Sequence, residues 1–231
     1  MIICLNNKCN LNKEEFRKYQ EELSSINTNH EIILCPTHLN ISEMNLETVK
    51  LGAQNVSSFS GGPHTGEVSA DMLKSYQVQY CIIGHSERRE NNKETLEDIN
   101  EKMKHLINSG ISPVLCVGET EGERKEILTL AKVEQEIESA FRGVSSDLDH
   151  KVVIAYEPIW SIGTGNLPTV EEISKIINFI KDRKPNCKLL YGGSVNEENV
   201  EELLQVENLD GFLLGGLSLK PDKLKQLIDK I

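Results

Sequence analysis

The chain has 231 residues, 38% of them hydrophobic and 26% charged, with only 16 glycines and 7 prolines, a composition that excludes disordered and collagen-like chains and fits a soluble globular protein. Against 25 basic residues stand 36 acidic ones, a formal charge of -11, so nucleic acid is not an expected partner and any small anionic ligand must be held by local groups. Six cysteines without a Cys-x-x-Cys pair read as reduced thiols and not as a disulfide or zinc framework; no apolar run is long enough to span a membrane, and Met1 to Leu5 is too short for a signal segment. A cytoplasmic location with no membrane partner is therefore expected.

Along the chain, continuous apolar runs of the kind found in strands buried on both faces predict strands over 2–5, 32–35, 53–56 and 80–83. An amphipathic helix is predicted over 95–109, then a strand over 113–117, a helix over 127–141 and a strand over 152–156. The Thr-x-x-Glu spacing from Thr169 to Glu172 predicts a capped helix over 170–182. A strand over 189–191 follows, then a second capping-box spacing from Ser194 to Glu197, a helix over 199–205 and a last strand over 211–214. Eight strand-then-helix units of about 29 residues each match a single (β/α)8 barrel spanning 1–231. A doubly wound sheet is disfavoured because Leu5 is followed by Asn-Asn-Lys-Cys-Asn and not by a Gly-x-Gly-x-x-Gly turn.

In such a barrel, residues just after the strands share one end. They include Asn6 and Lys8 after the first strand, the run Gly84-His85-Ser86-Glu87-Arg88-Arg89 after the fourth, Glu157 after the sixth, Gly192-Gly193-Ser194 after the seventh and Gly215-Gly216 after the eighth. Either Gly-Gly pair alone is a tight turn; both together, on the seventh and eighth loops, form a phosphate cradle of backbone N–H groups. Lys8 is placed to attract that phosphate and a developing oxyanion. His85, at a helix start that opposes its protonation, can serve as a neutral donor. Glu157 closes an apolar strand, where an unused carboxylate is costly, and is the candidate general base. After it come Pro158, Ile159, Trp160, Ser161, Ile162, Gly163, Thr164 and Gly165, a segment stiffened by proline at one end and freed by glycine at the other, which reads as a lid whose apolar residues exclude water.

These motifs, Asn6-x-Lys8, GHSERR at 84–89, PVLCVGE at 113–119, AYEPIWSIGTG at 155–165, YGGSV at 191–195 and LGG at 214–216, resemble those of triosephosphate isomerases in order and over the whole length. The resemblance implies a TIM barrel that interconverts dihydroxyacetone phosphate and D-glyceraldehyde 3-phosphate through an enediolate, in glycolysis and gluconeogenesis, without metal or organic cofactor. It implies Glu157 as base, neutral His85 as electrophile and Lys8 as electrostatic partner, supported by Asn6 and Glu87. Backbone N–H groups at Gly163, Ser194, Gly215 and Gly216 would hold the phosphate. It also implies a homodimer in which Thr65 approaches Asn6, Lys8 and Cys9 of the other subunit, with Arg88 at the interface. The chain departs from the common family pattern at Asn7 and Cys9 (usually Trp and Met), at Ser161 (usually Ala), at Leu217 (usually Ala) and in the Gly62-Pro63-His64-Thr65-Gly66 loop. Another phosphosugar-handling barrel would need only the phosphate cradle, and a silent scaffold would need neither Lys8, His85 nor Glu157.

Overall fold

A computed structural model describes residues 1–125, 127–161 and 167–231. Each short apolar run forms a strand: β1 (Ile2–Asn6), β2 (Glu31–Cys35), β3 (Lys50–Ala53), β4 (Tyr80–Ile83), β5 (Ser112–Val117), β6 (Val153–Tyr156), β7 (Lys188–Tyr191) and β8 (Gly211–Leu214). All pair in parallel in chain order, and β8 returns to β1 with Ile2 opposite Gly211, which closes the barrel. Helices α1 (Lys13–Ser24), α2 (Ala70–Ser75), α3 (Ser86–Asn92), α4 (Leu96–Asn108), α5 (Glu121–Lys125), α6 (Thr129–Ala140), α7 (Val170–Arg183), α8 (Val200–Leu203) and α9 (Pro221–Ile228) lie between and after the strands. The connection after β2 is a 3-10 turn over His38–Glu43.

Alternation along the strands divides the apolar side chains into two cores. Cys4, Ile33, Ile82, Val114, Ala155 and Leu190 fill the barrel interior. Their neighbours Ile3, Leu5, Leu34, Ile83, Leu115 and Ile154 face outward into the layer shared with the helices. The amphipathic α4 closes that layer with Ile99, Met103 and Leu106.

Seven of the eight strands start and end within one residue of the sequence expectation. The exception is β3, expected over 53–56 and found three residues earlier. Lys50 and Gly52 dilute the apolar character of this strand, whereas Gln54 and Asn55 already belong to the barrel mouth. The helix expected from 127 begins at 129, because Ile127 takes a left-handed φ of 60° and separates α5 from α6.

Thr169 caps α7 as expected, in a reciprocal capping box with Glu172; removing such a cap typically costs about 1 kcal/mol. The Ser194 spacing, in contrast, is not a cap. Asn196 instead accepts from the N–H groups of Glu198 and Asn199 in the turn that leads into α8, whose N-cap Asn199 makes no side-chain cap bond, and the Ser194 hydroxyl turns to the carbonyl of Ser161.

Candidate active site

The barrel brings the carboxyl ends of β1, β4, β6, β7 and β8 around one cleft of about 500 Å³. Asn6, Lys8, His85, Glu157, Ser194 and Gly216 all line it, as the sequence reading required. Glu157 follows β6 with its backbone still in register, its N–H donating to the Val117 carbonyl at 2.8 Å. The residue is 4% exposed. Its room comes from Gly192, where a Cβ would stand 2.8 Å from Glu157 Cγ.

Opposite the carboxylate lies His85, whose Nε2 is 3.5 Å from Glu157 Oε1. The N–H of Glu87 donates to His85 Nδ1 at 3.2 Å, so a neutral ring carries its hydrogen on Nε2, toward the cleft. Glu87 reaches the third charged group as well: Lys8 Nζ donates to Glu87 Oε1 at 2.6 Å.

Lys8 itself has a left-handed φ of 51°, an uncommon conformation for a residue with a long side chain. Two side chains fix it. Lys8 N–H donates to Asn6 Oδ1 at 3.0 Å, and Gln54 Nε2 donates to the Lys8 carbonyl at 2.8 Å and to the Cys35 carbonyl at 2.9 Å. The lysine stem lies over Gly215, where a Cβ would approach Lys8 Cε to 3.1 Å. Glycine at that position therefore lets the turn after β8 and the cationic side chain share one wall.

Of the lid segment, Pro158, Ile159, Trp160 and Ser161 are described, while Ile162, Gly163, Thr164 and Gly165 lie outside the described residues. The residues from Ile159 to Ser161 form a 3-10 turn. Within this turn the Trp160 indole N–H donates to Glu119 Oε1 at 2.8 Å, and the Arg124 guanidinium covers its ring at 3.9 Å. Glu119 is buried and also accepts from the Tyr156 hydroxyl. Burial raises its carboxyl above the usual range, with the Trp160 and Tyr156 hydrogen bonds opposing the rise. Ser194 joins this 3-10 turn to the turn after β7 by donating to the Ser161 carbonyl at 2.7 Å.

Glu119, Gln54, Asn7 and Ser218 escaped the sequence reading. Glu119 carried a usable signal, a carboxylate directly after a buried strand, the same logic that singled out Glu157. Gln54 and Asn55 were hidden by the displaced β3. Thr65 is exposed on the Gly62–Gly66 loop, and Gly66 of that loop joins Lys8, Cys9, Gln54, Glu87 and Arg88 in lining a second groove of about 450 Å³ beside the cleft. Arg88 also points inward, its Nε donating to Glu94 Oε2 at 2.7 Å.

Among the described residues there is no group of side chains arranged to hold a metal ion, and no helix is long and apolar enough to cross a membrane.

The family model described as triosephosphate isomerase matches residues 1–231. Triosephosphate isomerase of Mesomycoplasma hyorhinis is 42% identical over 91% of this chain and 86% of its own length. That of Mycoplasmopsis pulmonis is 38% identical over 99% of the chain and 96% of its own, and that of Dictyoglomus turgidum 39% identical over 93% and 92%. A closed parallel barrel with a buried carboxylate facing a histidine at its mouth, matched in sequence from end to end, places the chain in the triosephosphate isomerase family.

Proposed function

We propose that the chain is a single catalytic domain that interconverts dihydroxyacetone phosphate and D-glyceraldehyde 3-phosphate, with Glu157 as the base. The observation that carries this reading is the pair of buried groups, carboxylate and imidazole, facing each other across 3.5 Å at the cleft floor. Glu157 takes a proton from the carbon beside the carbonyl, and the resulting enediolate gathers charge on oxygen. His85 Nε2–H donates to that oxygen and the Lys8 ammonium stabilises it, since fixed donors and cations act strongly in a site screened from water. The hydroxyl proton on the first carbon passes through His85 Nε2 to the enediolate oxygen as Glu157 returns its proton to the neighbouring carbon, so one O–H and one C–H bond break, one of each forms, and no electron acceptor is consumed. Asn6 and Glu87 hold Lys8 in place. N–H groups at Gly163, Ser194, Gly215 and Gly216 take the phosphate, the lid from Pro158 to Gly165 closes over it, and dry closure keeps the enediolate from losing its phosphate.

A coupled assay with dihydroxyacetone phosphate tests the reading: steady isomerisation by the purified chain is expected, and none at millimolar substrate would overturn it. Glycolysis and gluconeogenesis supply the metabolic context, and a reducing cytoplasm suits six free thiols.

The chain has one tryptophan, Trp160, so closure has a built-in reporter. Saturation with a phosphate-bearing substrate analogue should shift its emission and slow amide exchange from 159 to 165. Unchanged emission and exchange would show that this segment is fixed core.

We also propose a homodimer in which the partner subunit's Thr65 enters the groove beside Lys8 and Cys9. Supporting it are that groove and the exposed Leu39, Phe59, Met72 and Tyr76, between 47% and 88% accessible, an apolar set that a lone chain leaves in water. Cys9 is exposed while the other five thiols are buried, so an alkylating reagent should label it first. Labelling should lower activity in step with dimer loss, and Cys9→Ala should protect. Sedimentation of an intact, active dimer carrying alkylated Cys9 would refute its interface role.

A further inference from the structure

The turn after β1 is linked to the turn after β8 by side chains that have no part in the proton transfer. Asn7 stands between Asn6 and Lys8 and is 1% exposed. Its Nδ2 donates to the Ser218 hydroxyl at 3.3 Å, and that hydroxyl donates to the Asn6 carbonyl at 3.0 Å. Ser218 is fully buried and closes the glycine turn, its N–H donating to the Gly215 carbonyl at 2.9 Å. On the other side of this turn lies the Lys8 stem, against Gly215. One short turn therefore touches the proposed phosphate-binding N–H groups, the Lys8 side chain and the backbone that aims it.

A second observation lies toward α1. Tyr19, 4% exposed, stands beside the Asn7 amide, yet among the described residues neither Tyr19 Oη nor Asn7 Oδ1 completes a hydrogen bond. Burial pushes the Tyr19 hydroxyl up to about 12, with the neighbouring Asn7 opposing. A side chain present only to fill space would not leave a buried amide oxygen unmatched, because an apolar residue of equal volume fills the same space without that penalty. A Trp, which the family pattern commonly has at this position, would carry no amide to make the link.

We propose that Asn7 is a positioning residue that couples the phosphate turn at Gly215 and Gly216 to the left-handed backbone of Lys8, through the Ser218 hydroxyl. An anion held by the glycine N–H groups steadies the turn, the turn fixes Ser218, and Ser218 holds the Asn6 carbonyl and the Asn7 amide on either side of the peptide leading into Lys8. The φ of 51° at Lys8 is a conformation that surrounding contacts must impose. The coupling rests on the site reading given above, and its test separates the two.

The experiment compares Asn7→Leu, Ser218→Ala and the double variant, each confirmed folded by circular dichroism, on D-glyceraldehyde 3-phosphate and on glyceraldehyde, which lacks the phosphate. Each single variant should lose about tenfold in kcat/KM on the phosphorylated substrate, mostly in kcat. The double variant should lose no more than the worse single one, because both changes break one chain of bonds. Turnover of glyceraldehyde, which has no phosphate to steady the turn, should fall by much less. Equal losses on both substrates, additive losses in the double variant, or no loss would each overturn the coupling. If Asn7→Leu does not fold, Ser218→Ala with Ser218→Thr, which restores the hydroxyl and should restore turnover, carries the same test. Lys8→Ala run alongside reports on the site: wild-type kcat/KM in that variant would overturn the site reading whatever Asn7 does.

Discussion

Glu157→Asp should fold like the parent chain and lose about 100-fold in kcat. The change removes one methylene and withdraws the carboxylate by about 1 Å, a displacement that can cost roughly 100-fold when the reacting atoms must meet at near-contact distance. In free energy this is about 2.7 kcal/mol of barrier. The backbone cannot follow the shortened side chain. Glu157 N–H is bonded to the Val117 carbonyl, Pro158 is buried behind it, and the Glu157 carbonyl lies so close to Gly118 that a Cβ there would stand 1.8 Å away. Stability should change little, since the carboxylate's contacts are the His85 ring at 3.5 Å and the Cys116 thiol, whose ionisation is pushed up by burial first and by the Glu157 charge second. Kinetics within a factor of about three of the parent would remove Glu157 from the role of base, because no base tolerates that retreat unchanged.

What made Glu157 legible was its contrast with its surroundings. Parallel strands buried on both faces are continuous apolar runs, and a carboxylate at the end of one is conspicuous. Seven strands could be placed for the same reason, and with them the end of the barrel at which the polar residues gather. The reading failed where a local pattern had two physical meanings. Ser194 and Glu197 have the spacing of a capping box, but spacing cannot reveal that the hydroxyl is claimed by the Ser161 carbonyl, brought in from another loop. Strand β3 carries Lys50 at its entry and Gly52 in its middle, so the apolar signal weakened and drew the expectation downstream onto Gln54 and Asn55. That shift concealed the amide that holds the Lys8 backbone.

Trp160 teaches a related lesson. Its apolar bulk put it among the water-excluding residues of an expected lid, and only the structure shows that its indole N–H also donates to a buried carboxylate, Glu119. Contacts such as Asn7 with Ser218 join residues 211 positions apart. Only closure of β8 on β1 makes them neighbours, and no local periodicity reports it.

Gly192→Ala should reach the same chemistry from the opposite side of the carboxylate. Gly192 continues the ladder between β7 and β6, its N–H donating to the Tyr156 carbonyl at 2.8 Å, and its φ lies outside the left-handed region. An alanine backbone fits there. The added methyl, however, would stand 2.8 Å from Glu157 Cγ and 3.3 Å from Oε1, inside contact distance for both atoms. The strand ladder is the stiffer partner, so the Glu157 side chain gives way, and His85 at 3.5 Å limits where it can go. We expect an overpacking penalty toward the low end of about 1–3 kcal/mol in stability, with a loss in kcat of about 100-fold because the carboxylate is again misplaced. Gly122→Ala in α5, where among the described residues a Cβ meets only Thr120 Oγ1 at 3.9 Å, is the matched control and should keep full activity. The combined variant Gly192→Ala with Glu157→Asp is the sharper measurement. An aspartate is short enough to clear the methyl, so if both single changes act through one displaced carboxylate, the double loss should fall well below the product of the two. Losses that multiply would mean that Gly192 acts elsewhere and that its contact with Glu157 does not set the position of the proposed base.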